Sequence, residues 1–184
     1  MEKKQWYKDA VVYQIWPRSF CDGNGDGIGD LWGVLSKLDY IKSLGVDVIW
    51  FSPLYPSPNE DYGYDIADYR NISPDYGDLD LFKKVLDECH KRGIAVILDM
   101  VFNHATGLNP MNKLYPYGTD LSKNPWFNAT APHSDNVYED WNHDFVPTKT
   151  MFTRSLAYWL TEYKVDGFRM DLSHGLCGTK ANTS

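Results

Sequence analysis

Apolar positions along the chain alternate between two spacings. Residues 11–16 form a β-branched and aromatic run ended by Pro17, the pattern of a buried strand. Leu31, Val34, Leu38, Ile41 and Leu44 then recur every three or four residues, predicting one helix that Gly45 closes. A second buried run covers residues 46–51 and is broken by Pro53. Asp78 suits the N-cap of a second helix carrying Leu81, Phe82, Val85, Leu86 and Cys89 on one face. His90, Lys91 and Arg92 complement its C-terminal dipole, and Gly93 stops it. Residues 94–101 predict a third strand and residues 165–172 a fourth, with Phe152, Leu156, Trp159, Leu160 and Tyr163 marking a helix just before it. The stretch 104–148 holds Pro110, Pro116, Pro125, Pro132 and Pro147 without any period, and reads as an excursion.

This alternation of strands and helices predicts an α/β fold with parallel strands and right-handed crossovers. Strands apolar on both faces belong inside such a sheet. A TIM (β/α)₈ barrel takes about 250 residues, so four strands in 184 residues predict its N-terminal half, with a short B-domain-like excursion after strand 3. A self-contained four-strand α/β domain fits the pattern equally well. The expected division is barrel strands 1–3 over 1–103, excursion over 104–148, helix and strand 4 over 149–175, and a polar tail over 176–184.

Composition narrows the function. A hydrophobic content of 43% suffices for a core. The net charge of −7, with no Lys/Arg cluster, excludes the electrostatic footprint of a nucleic-acid or anionic-membrane binder. No run reaches transmembrane length and the N-terminal residues lack a signal-peptide core, so a soluble cytoplasmic protein is expected. Cys21, Cys89 and Cys177 are odd in number and lack CxxC spacing, which predicts free thiols. Seven Trp and thirteen Tyr suit core filling or sugar stacking; Trp126-Phe127 and Tyr115-Pro116-Tyr117 could line a cleft or form a small local core. His133 and His143 are expected to be solvated or locally bonded.

Polar residues gather at the C-terminal ends of the third and fourth strands, where a barrel places its active site. The third ends Asp99-Met100-Val101-Phe102-Asn103-His104 and the fourth Gly167-Phe168-Arg169-Met170-Asp171. With a period of two, Gly167, Arg169 and Asp171 share one face, which would point into the barrel mouth. A guanidinium beside a carboxyl group favours the ionised form, so Asp171 is a candidate nucleophile. The same spacing is also compatible with an ion pair that only ties strands together.

Asp22-Gly23-Asn24-Gly25-Asp26-Gly27-Ile28-Gly29-Asp30 is a second signal. Asp22, Asn24, Asp26 and Asp30 supply side-chain oxygens at positions one, three, five and nine, Ile28 a carbonyl at seven, and Gly27 the glycine at six, as in the start of a calcium loop. Gly33 stands at position twelve instead of Glu, and a strand-like run precedes the loop, so it is no EF-hand. A structural Ca²⁺, or Mg²⁺ in its place, is expected; the alternative is a metal-free loop of Asx turns.

These segments resemble the α-amylase family of glycoside hydrolases. The third- and fourth-strand runs are similar to its first and second signature regions. Tyr13-Gln14-Ile15-Trp16-Pro17-Arg18-Ser19-Phe20, the Asp22-to-Asp30 loop and Gly63-Tyr64-Asp65-Ile66-Ala67-Asp68-Tyr69 resemble its α-glucosidase and oligo-1,6-glucosidase branch. The resemblance implies a retaining mechanism on α-linked glucans or gluco-oligosaccharides. By it, Asp171 matches the nucleophile and Arg169 the residue that orients it. His104 and Tyr64 match sugar-binding positions, Asp61 a contact to the terminal glucose, and His174 an acceptor-side position. Asp99 and Asn103 match supporting positions, and the 22–30 loop a structural ion site.

The sequence departs from that family in two places. The acid/base Glu of a fifth strand and a later Asn-His-Asp run would both lie beyond Ser184, so this polypeptide alone is expected not to turn over glycosides; general acid catalysis contributes about 10²–10⁴-fold. In the excursion, Asn109-Pro110-Met111, Pro125-Trp126-Phe127-Asn128 and Asn142-His143 look more like α-amylases with a short B domain, leaving exo and endo action open. A transglycosylase or isomerase of the same family is one rival reading. A non-catalytic carbohydrate-binding or interaction protein on a degenerate barrel is another.

Overall fold

The four apolar runs align in a parallel sheet ordered β1-β2-β3-β6 in a computed structural model that describes residues 6–114, 120–134 and 137–176. Strand β1 (Val12–Ile15) is followed by the one-turn helix α1 (Pro17–Phe20), the glycine-rich loop, and helices α2 (Leu31–Ser36) and α3 (Leu38–Ser43). Then come β2 (Val48–Phe51), α4 (Leu79–Lys91) and β3 (Ala95–Val101). In the excursion, β4 (His104–Ala105) pairs antiparallel with β5 (Glu139–Asp140). Helix α5 (Val146–Tyr158) runs through a π turn over Trp159–Tyr163 to β6 (Gly167–Asp171).

Period two assigns the two sheet faces. Ile49, Phe51, Val96, Leu98 and Met100 are buried against the helices, where they meet Leu38, Ile41, Phe82, Val85 and Leu86. The opposite face carries Val48, Trp50, Ile97, Asp99, Arg169 and Asp171. Among the described residues β1 pairs only with β2, and β6 only with β3. That explains why β1, expected to be buried on both faces, leaves Val12 49% exposed.

Helix α4 forms as its sequence predicts: Asp78 accepts the Leu81 N–H at 2.7 Å, and five apolar side chains face the core. Burial pushes the Cys89 thiol up to about 12, so it behaves as an apolar core group. The first helix differs from the single one expected. Ser36 Oγ donates to the Gly33 carbonyl at 2.7 Å, and the Lys37 N–H bonds Val34 instead, dividing the segment into α2 and α3. The last helix begins at Val146, inside the expected excursion, because Pro147 sits in its first turn, where no N–H is needed. Tyr115-Pro116-Tyr117, Cys177 and the tail from 177 on lie outside the described residues.

Excursion and barrel share one aromatic hub. Tyr69 OH donates toward the carbonyls of Val101 and His104 (2.9 and 3.0 Å) and accepts from Trp141 Nε1 at 3.0 Å. Trp159 Nε1 donates to the Tyr69 carbonyl at 2.9 Å. His143, expected to be solvated or locally bonded, is buried instead, with its Nε2 at 2.7 Å from the Phe102 carbonyl. Trp126 and Trp141 pack edge to face, placing the Trp126-Phe127 pair in the local core rather than along a cleft.

Candidate active site

Parallel pairing of β3 with β6 sets Asp99 opposite Arg169 and Val101 opposite Asp171. The chemistry-bearing residues are therefore stacked at the C-terminal ends of adjacent strands. Arg169 Nη1 lies 3.0 and 3.3 Å from the two oxygens of Asp99 and 2.5 Å from Asp171 Oδ1. One guanidinium nitrogen thus serves both carboxylates. The Asp99 side chain is 0% exposed and that of Asp171 14%, so the first is sealed while the second faces the open end.

Two neutral donors complete the Asp99 shell. Trp50 Nε1 and Tyr64 OH reach Asp99 Oδ2 at 3.0 and 3.1 Å. Burial nevertheless raises the Asp99 pKa above the usual carboxylate value, with Arg169 and these donors opposing it. Burial likewise raises that of Tyr64, reinforced by the Asp99 charge.

His104 sits at the start of the excursion. Its Nδ1 is 3.1 Å from Asn103 Nδ2, and among the described residues its buried Nε2 has no partner at full hydrogen-bond geometry, although the Tyr64 backbone lies close enough to favour the protonated ring; Asn103 Oδ1 is likewise buried with no such partner among them. Burial lowers the imidazole pKa, while the charges of Asp171 and Asp61 oppose that shift. Both carboxylates therefore lie within electrostatic reach of His104. Asp61 is half-buried, and its carbonyl accepts the Tyr64 N–H at 2.8 Å. His174 is exposed in the turn after Asp171, with its ring 5.9 Å from that of His133. All eight sequence-selected site residues thus belong to one neighbourhood, with His174 at its margin.

Sequence reasoning missed three contributors. Trp50 reads as an ordinary strand residue. Tyr138, deep in the excursion, stacks on His104 with ring centroids 5.6 Å apart and an interplanar angle of 23°. His133 pairs with Asp140 at 2.9 Å, both side chains at most 5% exposed; of the solvated and locally bonded alternatives expected there, the structure shows the second. Left-handed backbone is a further signal: Tyr62, Tyr138 and Leu172 all have positive φ (54, 48 and 41°) and flank the site.

The glycine-rich loop is closed by its own carboxylates. Asp22 accepts N–H groups of Gly25 and Gly27 at 2.6 and 2.8 Å, which lowers its pKa. Asn24 and Asp26 each accept the N–H two residues on. Asp30 caps α2 through Gly33 (2.6 Å) and also accepts from Gly23 and Asn24. Gly25 and Gly27 have φ of 87 and 90°, a conformation that disfavours other residues. Ile28 presents no side-chain donor, leaving only its carbonyl. Among the described residues there is no cluster of three or more His, Cys, Asp or Glu placed to hold a metal.

Comparison with known proteins agrees with this architecture. The family described as "Alpha amylase, catalytic domain" matches residues 14–149. The oligo-1,6-glucosidase of Parageobacillus thermoglucosidasius is 48% identical over 139 residues, covering 76% of this chain and 22% of that protein. Trehalulose synthase MutB, solved as a mutant with its substrate sucrose, superposes with a TM-score of 0.82 at 33% identity, covering 92% of this chain and 36% of that one. Bacillus licheniformis trehalose-6-phosphate hydrolase does so at 0.80 and 35% identity, covering 90% and 35%. The chain thus spans about a fifth of the curated relative and about a third of the solved ones. The four-strand sheet accordingly corresponds to the N-terminal part of a (β/α)₈ barrel. This chain belongs to the α-amylase family.

Proposed function

We propose that the protein is a retaining α-glycosidase acting on α-linked gluco-oligosaccharides, with Asp171 as nucleophile. The carrying observation is the single Arg169 nitrogen shared between sealed Asp99 and accessible Asp171 at the strand ends. A carboxylate oxygen of Asp171 attacks the anomeric carbon as the bond to the leaving oxygen breaks. That oxygen takes a proton from a second carboxyl group about 5–5.5 Å away, and water then cleaves the glycosyl ester. None of the described carboxylates is assigned the second role; Asp99 is already bonded to Trp50, Tyr64 and Arg169.

In this reading Arg169 orients Asp171. His104, Tyr64 and Asp61 bind the sugar, His174 faces the acceptor side, and Asp99 and Asn103 hold the site from behind. The buried His104 Nε2, which has no hydrogen-bond partner among the described residues, supports a sugar hydroxyl in that role. Transfer to a sugar instead of water is the second reading, favoured by the likeness to a trehalulose synthase. The 22–30 loop would hold a structural Ca²⁺ through Asp22, Asn24, Asp26, Asp30 and the Ile28 carbonyl, an all-oxygen donor set suited to a hard cation. Free thiols at Cys21 and Cys89 fit a cytoplasmic location. Among the described residues no helix is long and apolar enough to cross a membrane.

The test is trapping with 5-fluoro-α-glucosyl fluoride, whose fluoride departs without a general acid. The expected result is one covalent fluoroglucosyl group on Asp171, found by peptide mass mapping and absent in Asp171→Asn. Labelling elsewhere, or none at all, rejects the assignment and leaves the non-catalytic reading.

A further inference from the structure

Trp50 touches both Arg169 and the carboxylate that shares Arg169 with Asp171. Its indole N–H donates to Asp99 Oδ2 at 3.0 Å, and its ring lies under the Arg169 guanidinium, 5.1 Å from centroid to guanidinium carbon. It stands on β2, opposite Ile97 of β3, which is itself opposite Gly167 of β6. Gly167 adds no side chain there, and a Cβ at that position would meet Ile97 at 3.5 Å.

The consequence follows from hydrogen-bond supply. Arg169 Nη1 faces three carboxylate oxygens, Asp99 Oδ1 and Oδ2 and Asp171 Oδ1, whereas a single nitrogen of that group has two N–H donors. The sealed Asp99 can release part of that donor only if others meet its oxygens. The indole N–H is one such donor and Tyr64 OH the other. The π face restrains the guanidinium plane at the same time. Trp50 therefore acts on both the supply and the aim of the cation that holds Asp171.

We propose that Trp50 is a positioning residue for Asp171, dividing Arg169 between Asp99 and the nucleophile through its N–H and ring face. The proposal rests on Asp171 being the nucleophile. A residue that merely filled the barrel interior would tolerate any ring of similar volume. Loss of the N–H alone should therefore separate the two roles.

The experiment uses the protein produced from its complete reading frame, trapped with 5-fluoro-α-glucosyl fluoride over a range of pH. Trp50→Phe keeps a ring face and removes the donor; β-(3-benzothienyl)alanine at position 50 keeps the full shape and removes only the N–H, and serves if Trp50→Phe folds poorly. Expected is a roughly tenfold fall in the maximal trapping rate, the size of one lost hydrogen bond to a charged group. The half-saturating probe concentration should stay within about twofold, and the acid limb of the rate profile should move to higher pH, a change that packing loss alone would not produce. Equal maximal rates and superimposable pH profiles for parent and benzothienyl protein overturn the proposal for Trp50. No label on Asp171 in the parent overturns the nucleophile assignment, and Trp50's role with it.

Discussion

The hydroxyl of Tyr64 donates to Asp99 Oδ2 at 3.1 Å, tying the loop after β2 to the end of β3 across 35 residues. Burial and the Asp99 charge both hold the phenol protonated beyond its ordinary range. The same direction holds for Tyr55 and Tyr69, where burial leads. Each folded pKa lies above the unfolded value of about 10. Their contribution to stability is complete below pH about 10 and declines as pH rises toward the folded values. Urea midpoints should therefore drop above pH about 10. In Tyr64→Phe one term of that alkaline loss disappears, along with about 1 kcal/mol at neutral pH from the missing hydrogen bond. An alkaline slope identical to the parent's would contradict the burial of this phenol.

Acid should act through His104 and His143. Burial lowers both pKa values, against the charges of Asp171 and Asp61 at the first, and against the Phe102 carbonyl, Asp140 and Asp144 at the second; Lys149 works with burial there. Folding favours the neutral rings. Their contribution is present above the unfolded value of about 6.5 and lost as pH falls through the depressed folded values. Asp99, raised by burial, opposes this trend in the carboxylate range. The unfolding midpoint should decline between pH 7 and about 5, with a shallower slope in His143→Gln. A midpoint that is flat over that interval would count against two buried neutral histidines.

Much of the barrel was legible because its signals are local. Helix α4 follows its Asp78 cap and Gly93 stop, and Asp99, Arg169 and Asp171 lie where strand period and strand ends put them. The division at Ser36 was not legible, because its Oγ competes for a carbonyl that a helical pattern assigns to the backbone. Trp50 was missed for another reason. An aromatic in an apolar strand looks the same whether it packs on helices or supports a guanidinium, and only the parallel register across 49 residues brings it to Asp99. Tyr138 and the His133–Asp140 pair depend on how an aperiodic excursion folds back. No spacing rule reports that.

Lys164 ends the π turn in the left-handed region, at φ 64° and ψ 37°, with its N–H bonded to the Trp159 carbonyl. It is exposed. A side chain in this conformation costs roughly 1–2 kcal/mol, and glycine avoids most of it. Lys164→Gly should accordingly stabilise the fold by about 0.5–1 kcal/mol, read as a higher urea midpoint with unchanged m-value. Destabilisation would mean that the lysine side chain makes a contact worth more than the backbone strain.

The Ca²⁺ proposal can be decided by choosing the right loop residue. Asp30 is unsuitable, because it caps α2 through Gly33 and its loss costs about 1 kcal/mol with or without an ion. Asp26 is exposed, and among the described residues its oxygens accept from Asn24 Nδ2 and the Ile28 N–H. Asp26→Asn preserves the Asx turn and removes one charge from the oxygen donor set. If the loop holds the ion, Ca²⁺ added to chelator-treated protein should raise the unfolding midpoint, by about 2.7 kcal/mol at a hundredfold excess over Kd. In Asp26→Asn the same shift should require a much higher concentration, since affinity tracks ligand charge. The metal-free proteins should differ little, because the turn hydrogen bonds stay in place. An unchanged midpoint at Ca²⁺ up to about 10 mM would leave the carboxylates as caps for backbone N–H groups, with the loop closed by Asx turns alone.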